Sequence, residues 1–196
     1  AGGVDFTVRR QPGLGIQPDI AVYAKAMSNG FPCAAVVGSA AVMDAANESF
    51  ISSSYWTDGI GPAAAIACIR KMRSTNAQRY VWSLGETLQA ALREFAREFS
   101  SLRLNVGNQP AAPSLTFALG EQSAAAKALL IRKMLAGGYL FSSQLYVMLA
   151  HDESLIKEML DTLGDVLGEL TILQDSGRLE AEAGNLKPTG SFARLA

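Results

Sequence analysis

The chain has 196 residues, of which 49% are hydrophobic and 18% charged, enough apolar side chains for one full domain or two small ones with packed cores. Lys+Arg 17 nearly cancels Asp+Glu 18, and no basic or acidic run dominates any stretch, so nothing marks a nucleic-acid or anionic-lipid partner. No apolar run approaches the roughly 20 residues of a membrane span, and the opening Ala-Gly-Gly-Val-Asp-Phe has neither a basic nor an apolar leader region. A cytoplasmic protein with a small-molecule or protein partner is expected.

The opening as far as Gln17 is Gly-rich, does not begin with Met and reads as the middle of a longer protein. Residues 20–25, Ile-Ala-Val-Tyr-Ala-Lys, form a short, partly β-branched apolar run entered through Pro18, which predicts a buried strand ending at Lys25. Ser28, Asn29, Gly30 and Pro32 predict a turn. Residues 33–38 predict a second strand of a sheet covered on both faces, and 40–46 a short helix. Two buried strands this close indicate an α/β core.

A polar and aromatic loop follows over residues 52–62, and an Ala-rich helix is predicted for 63–72 with Pro62 near its start. A longer helix over 77–99 is predicted from Leu84, Leu88, Leu92, Phe95 and Phe99, which recur every three or four residues. Residues 102–106 and 115–119 read as short strands separated by Gly107, Asn108, Pro110 and Pro113. A helix over 123–135, a Gly137-Gly138 stop, a strand over 144–149 and a helix over 153–170 complete a second, α+β unit. Asp152 is the expected N-cap of the last helix, with Leu155, Met159, Leu163, Val166 and Leu170 as its inner stripe. The expected division is 1–73 and 74–196.

Lys25 is the most informative residue, because a lysine at the carboxyl end of a strand lies where open α/β sheets place ligand chemistry. Burial disfavours the charged ammonium, and the neutral amine is the form that condenses with an aldehyde. Taken alone, the pattern describes an ordinary lysine with its ammonium in water more readily than a reactive one. The loop Ser52-Ser-Ser-Tyr-Trp-Thr57-Asp-Gly-Ile-Gly-Pro62 brings four hydroxyl-bearing Ser and Thr side chains ahead of a helix start, where an anion such as a phosphate would be favoured. It equally describes a surface turn with a hydroxyl cap.

Other chemistry finds little support. Gly13-Leu-Gly15 lacks the third glycine of a dinucleotide fingerprint, and no Gly-Lys-Ser/Thr phosphate loop occurs. With one histidine, His151, neither a catalytic triad nor a metal cluster can be assembled, so no metal is expected and His151 reads as structural, beside the Asp152 cap. Cys33 and Cys68 sit in apolar surroundings and read as core thiols rather than a disulfide framework.

Taken together, Pro18-Asp-Ile-Ala-Val-Tyr-Ala-Lys25-Ala-Met-Ser-Asn-Gly30-Phe-Pro32, then Ser53-Ser-Tyr-Trp-Thr57 and Gly61-Pro-Ala-Ala-Ala65, resembles the class III aminotransferases. The segment Met134-Leu-Ala-Gly-Gly-Tyr139-Leu with Ser142 and Ala150-His-Asp-Glu153 looks like the small domain of the glutamate-1-semialdehyde aminomutase branch, and Thr189-Gly-Ser-Phe-Ala-Arg194-Leu fits that branch's tail loosely. The resemblance implies a pyridoxal-phosphate-dependent transferase of fold type I, represented by the C-terminal part of the large domain plus the small α+β domain. It implies that Lys25 forms the Schiff base with pyridoxal phosphate and that Thr57 or Ser54, Thr57 ranked first by its distance from Pro62, gives a hydroxyl to the cofactor phosphate of a neighbouring subunit, hence a homodimer. It further implies amino-group transfer between a small-molecule amino donor and a keto or aldehyde acceptor, with amino-sugar or semialdehyde substrates favoured over the ornithine branch. An aminomutase and a non-catalytic relative kept for subunit association stand as alternatives. The family's glycine-rich phosphate loop, ring-stacking aromatic and pyridine-binding aspartate would precede Ala1; Asp5 is not assigned that last role, and the chain alone is not expected to be a competent enzyme.

Overall fold

Asp19 leads into β1 (Ile20–Tyr23), which pairs antiparallel with β2 (Ala35–Gly38) in a register that sets Ile20 opposite Gly38 and Tyr23 opposite Ala35. The structure, a computed structural model, describes residues 18–184. The Gly-rich opening with Asp5 and Gly13-Leu-Gly15, and the tail motif from Thr189, lie outside the described residues. The chain divides into two compact units, Ala1–Ala77 and Gln78–Ala196.

In the first unit a single turn of 3-10 helix (Lys25–Met27) joins the two strands, and β2 runs into α1 (Ala40–Met43). The helix expected over 40–46 tightens after Met43 into a 3-10 segment, Asp44–Glu48. The strands themselves differ from expectation: Ile20, Val36 and Val37 are exposed, and Val22 is 67% exposed. Each strand has four residues and one described neighbour, so the cover on both faces that the β-branched run implies is not supplied by the described residues. Helix α2 (Ile60–Ser74) starts three residues earlier than expected because Asp58 Oδ1 accepts the Ile60 N–H at 2.9 Å, which satisfies a donor that has no partner within the helix. Pro62 therefore falls within the first turn, where a missing N–H costs nothing.

Small residues on α2 let this unit close. Gly61, Ala65 and Cys68 recur at spacings of four and three, and the first two are buried. A Cβ on Gly61 would stand 2.6 Å from the Pro32 carbonyl oxygen and 3.0 Å from Cys33 Cβ, so the chain after Lys25 lies directly against the helix start.

The second unit holds the main hydrophobic core. In α3 (Ala77–Glu98), Leu84, Leu88 and Leu92 are buried as their spacing predicts, and Phe95 and Phe99 pack beside them with ring centroids 5.8 Å apart. Strands β3 (Leu104–Val106) and β4 (Leu115–Phe117) pair antiparallel. Helix α4 (Ser123–Ala136) contributes Ala126, Leu129, Leu130 and Met134, and stops at Gly137 and at Gly138, whose φ is +91°. Helix α5 (Glu153–Asp175) starts at the expected cap, Asp152, whose side chain accepts the Leu155 N–H at 2.8 Å. A short α6 (Leu179–Ala183) closes the core through Leu179 and Ala183, and Lys133 Nζ meets Glu169 Oε2 at 2.6 Å between α4 and α5.

Two expectations for this unit are corrected. Residues 144–149 do not form a regular strand: the Leu145 and Val147 N–H groups donate to the Pro113 and Ala111 carbonyls, and Ser114 bridges Gln144. Pro113 has no N–H to return, so the reciprocal bonds of an antiparallel ladder cannot form there. The buried stripe of α5 runs through Ile156, Leu163, Val166, Leu167 and Leu170, while Leu155 is exposed. Counting back seven from Leu163 gives Ile156, which a 3.6-residue period favours over Leu155.

Two variants test this packing. Gly61→Ala places a methyl against backbone that cannot swing away; at the second helical position little helix propensity is gained in return, so a loss of about 1–3 kcal/mol is expected in urea unfolding, with faster amide exchange across residues 25–32. Ile156→Ala is expected to cost about 2–5 kcal/mol and Leu155→Ala under about 1 kcal/mol; equal losses in the same assay would restore the original stripe.

Candidate functional site

The polypeptide leaves β1 through Ala24, which is extended, and turns at Lys25 with φ +53°. Left-handed backbone suits Gly and is tolerated by Asn, but for a residue with a long side chain it stores about 1–3 kcal/mol of strain. The same turn holds Asn29 at φ +47° and Gly30 at φ +103°. Strain of this kind persists only where surrounding bonds fix it, and here they converge on the turn. The Met27 N–H donates to the Ala24 carbonyl at 3.1 Å, while the Ser28 and Asn29 N–H groups both donate to the Lys25 carbonyl, at 3.3 and 3.2 Å. Ser28 Oγ donates to the Phe31 carbonyl at 2.5 Å. From α2, the Cys68 thiol donates to the Ala26 carbonyl at 3.3 Å.

Lys25 lines an open cavity of about 1040 Å³. Asn29, Phe31, Pro32 and Cys33 form one side of it, and Ser53, Tyr55, Trp56 and Asp58 bring the polar loop to the other. The loop is folded by two successive turns, with the Trp56 N–H donating to the Ser53 carbonyl at 3.3 Å and the Asp58 N–H to the Tyr55 carbonyl at 3.1 Å. Lys25, Asn29, Ser53, Tyr55, Trp56 and Asp58 therefore line one space. That set can bind an aromatic aldehyde bearing an anionic group.

The predicted residues are distributed unevenly. Lys25 is at the cavity, but it is exposed; the burial expected of it is not supplied by the described residues. Ser54 and Thr57 lie in the loop, are exposed and do not line this cavity, whereas Ser53 does. The helix start awaiting an anion already has the Asp58 carboxylate on its first N–H. Cys33 and Cys68 are free and half-buried rather than core, because both belong to the thinly covered first unit.

In the second unit His151 anchors the approach to α5 through its backbone: its carbonyl accepts from Tyr80 Oη at 2.6 Å and its N–H donates to the Met148 carbonyl at 3.1 Å. Among the described residues, no group of three or more His, Cys, Asp or Glu is placed to hold a metal, and no helix is long and apolar enough to cross a membrane.

Sequence reasoning missed Ser28, Cys68 and the Asp58 cap. The spacing of Gly61, Ala65 and Cys68 carried a signal for a close approach on α2; the Ser28 hydroxyl bond carried none, since it forms only once the turn is closed.

Residues 3–106 match the family model described as aminotransferase class-III. The chain is 33% identical over 105 residues to the aminopentol aminotransferase of Sphingopyxis macrogoltabida, covering 54% of this chain and 25% of that protein. It is 36% identical over 81 residues to a 5-aminovalerate aminotransferase of Pseudomonas aeruginosa, covering 41% of this chain and 19% of that one. Among solved structures it is similar to the pyridoxal-phosphate internal aldimine form of the FumI protein of Sphingopyxis sp. MTA144, with a TM-score of 0.73 and 25% identity over 85% of this chain and 40% of that chain. A transaminase with pyridoxal phosphate bound shares the fold at a TM-score of 0.71 and 22% identity, over 83% of this chain and 41% of that one. The chain thus spans about a quarter or less of these curated relatives and about two fifths of these solved neighbours. Its architecture is a part of the fold type I transaminase structure, and the chain belongs to the class III aminotransferase family, whose members depend on pyridoxal phosphate.

Proposed function

We propose that the chain is the C-terminal part of a pyridoxal-phosphate-dependent aminotransferase, with its first unit belonging to the cofactor-binding domain and its second forming the small domain. The observation that carries this reading is a lysine held in a left-handed turn at the edge of a cavity whose far side is lined by hydroxyls and an indole. The group fits what the chain offers. Lys25 would hold the aldehyde, and Ser53 and Tyr55, which line the same cavity, would offer hydroxyls to the phosphate. The Asp58 carboxylate, also at the cavity, is engaged by the Ile60 N–H.

When bound, pyridoxal phosphate supplies a sink for the electrons of the substrate bond that breaks. Lys25 would hold the group covalently through Nζ and, freed when an amino substrate takes its place, would accept and return a proton at Nζ. Thr57, with Ser54 as the alternative, serves the phosphate of a neighbouring copy. Their exposure outside the chain's own cavity supports that assignment, and Phe50, just before the loop, is 97% exposed. An exposed aromatic of this kind is suited to association, and we propose a homodimer. The relatives bear aminotransferase names, which favours transfer to a separate keto acceptor. The glutamate-1-semialdehyde-type aminomutase alternative rests on the segment from Met134 to Glu153.

Borohydride reduction of the full polypeptide after incubation with pyridoxal phosphate, followed by peptide mass mapping, is expected to place the phosphopyridoxyl mass on the peptide containing Lys25, and Lys25→Ala to abolish it. Label absent or scattered over surface lysines overturns the anchor and leaves the association-only relative. With 5-aminovalerate as donor, consumption of an added keto acid marks transamination; isomerisation of an amino aldehyde without any keto acid marks the aminomutase. Phe50→Glu, at an exposed residue that does not line the cavity, is expected to shift sedimentation towards the monomer, and an unchanged dimer would place the interface elsewhere.

A further inference from the structure

Ser28 is 1% exposed, and it and Gln89 are the described polar residues that are fully buried. In the first unit its company is sparse: Gly61 and Ala65 of α2 are buried with it, while the strands on either side of its turn are largely exposed. A hydroxyl buried in the least covered part of the chain has been withdrawn from water for the bond it makes, since burial without a partner is costly. That bond runs from Ser28 Oγ to the Phe31 carbonyl at 2.5 Å, while the Ser28 N–H holds the Lys25 carbonyl at 3.3 Å. One residue therefore ties the strained end of the turn, Lys25 at φ +53°, to Phe31 at the cavity, across Asn29 and Gly30, which also have positive φ. The other side-chain bond to the turn, from the Cys68 thiol to Ala26, uses a weak donor.

We infer that Ser28 is a positioning residue: by locking the turn over residues 25–31 it holds Lys25 left-handed and presents Nζ to the cavity. The inference rests on Lys25 being the cofactor anchor. It separates two properties that a purely structural serine would keep together, the stability of the unit and the reactivity of one amine. Misplacement of a reacting group by about 1 Å is enough to slow its chemistry by about two orders of magnitude. Loss of a single neutral hydrogen bond changes stability far less.

The test compares Ser28→Ala with Thr75→Ala in the full polypeptide. Thr75 Oγ1 also donates to a backbone carbonyl, that of Lys71 at 2.8 Å, but at the far end of α2. Each variant is mixed with pyridoxal phosphate, quenched with borohydride at intervals over a series of pH values, and the mass on the Lys25 peptide is followed. Ser28→Ala is expected to slow trapping at Lys25 by about 10- to 100-fold and to alter its pH profile and the absorbance titration of the bound cofactor, with faster amide exchange confined to residues 25–31. Thr75→Ala is expected to leave all of these at wild-type values.

Trapping at the wild-type rate with an unchanged pH profile in folded Ser28→Ala overturns the inference and leaves the anchor reading intact. Absence of label on wild-type Lys25 overturns both. If Ser28→Ala is unfolded by circular dichroism, Ser28→Cys, which fills similar space with a weaker donor, decides: slowed trapping upholds the positioning role and a wild-type rate overturns it.

Discussion

The close contact between the turn after β1 and the small-residue face of α2 is the constraint on which the candidate site depends. At Gly61 the Pro32 carbonyl comes so near that no side chain fits between them, and one turn further along Ala65 is buried. At Cys68 the thiol reaches back to the carbonyl of Ala26. Because that face carries nothing bulky, Lys25 and Pro32 are held at the two ends of one short, tightly bonded segment. The loop over residues 52–59 then enters α2 beside it, so a single helix start fixes both sides of the cavity.

The two units obtain their order in different ways. The second is a conventional apolar core in which Leu92, Leu163, Leu167 and Leu170 are sealed between helices, and its surface ion pairs, such as Arg132 with Glu182 at 3.3 Å, add little by comparison. The first has few buried apolar side chains and relies on backbone hydrogen bonds, a buried hydroxyl and glycine. Its β-branched strand residues are of the kind used by sheets covered on both faces, yet they stand exposed among the described residues.

Much of the helical framework was legible in the sequence, because a 3.6-residue period over twenty residues leaves few alternatives: α3 and its leucine stripe, α4 with its Gly137-Gly138 stop, and the Asp152 cap all followed from spacing and capping chemistry. Short features were less legible. Leu155 and Ile156 are adjacent and equally apolar, and only the phase of the whole helix separates them. Residues 144–149 have a strand's composition, but whether a ladder forms depends on the partner, and Pro113 cannot donate to it. At the site, the position of Lys25 after a strand was readable, whereas its left-handed backbone, its exposure and the Ser28 bond belong to the closed turn and leave no periodic trace. The loop hydroxyls were readable as a group, but which of them faces the chain's own cavity was decided by two turns that no spacing rule distinguishes.

A lysine that must attack an aldehyde faces conflicting demands on its placement. A carboxylate partner would hold the amine in position by keeping it charged, which opposes attack, and deep burial would free the amine but hinder access by a cofactor-sized molecule. Fixing the backbone instead leaves Lys25 reachable from an open cavity. In the proposed anchor role, the left-handed Lys25, clamped through its own carbonyl by the N–H groups of Ser28 and Asn29, gains a fixed position at the cost of local strain. That strain is tolerable because the segment is short and its clamps are bonds rather than a large core. The turn calls for glycine at 30 because its φ is +103°, and for glycine at 61 because a Cβ there would stand 2.6 Å from the Pro32 carbonyl oxygen; the closeness to α2 that this allows helps keep the strained conformation in place.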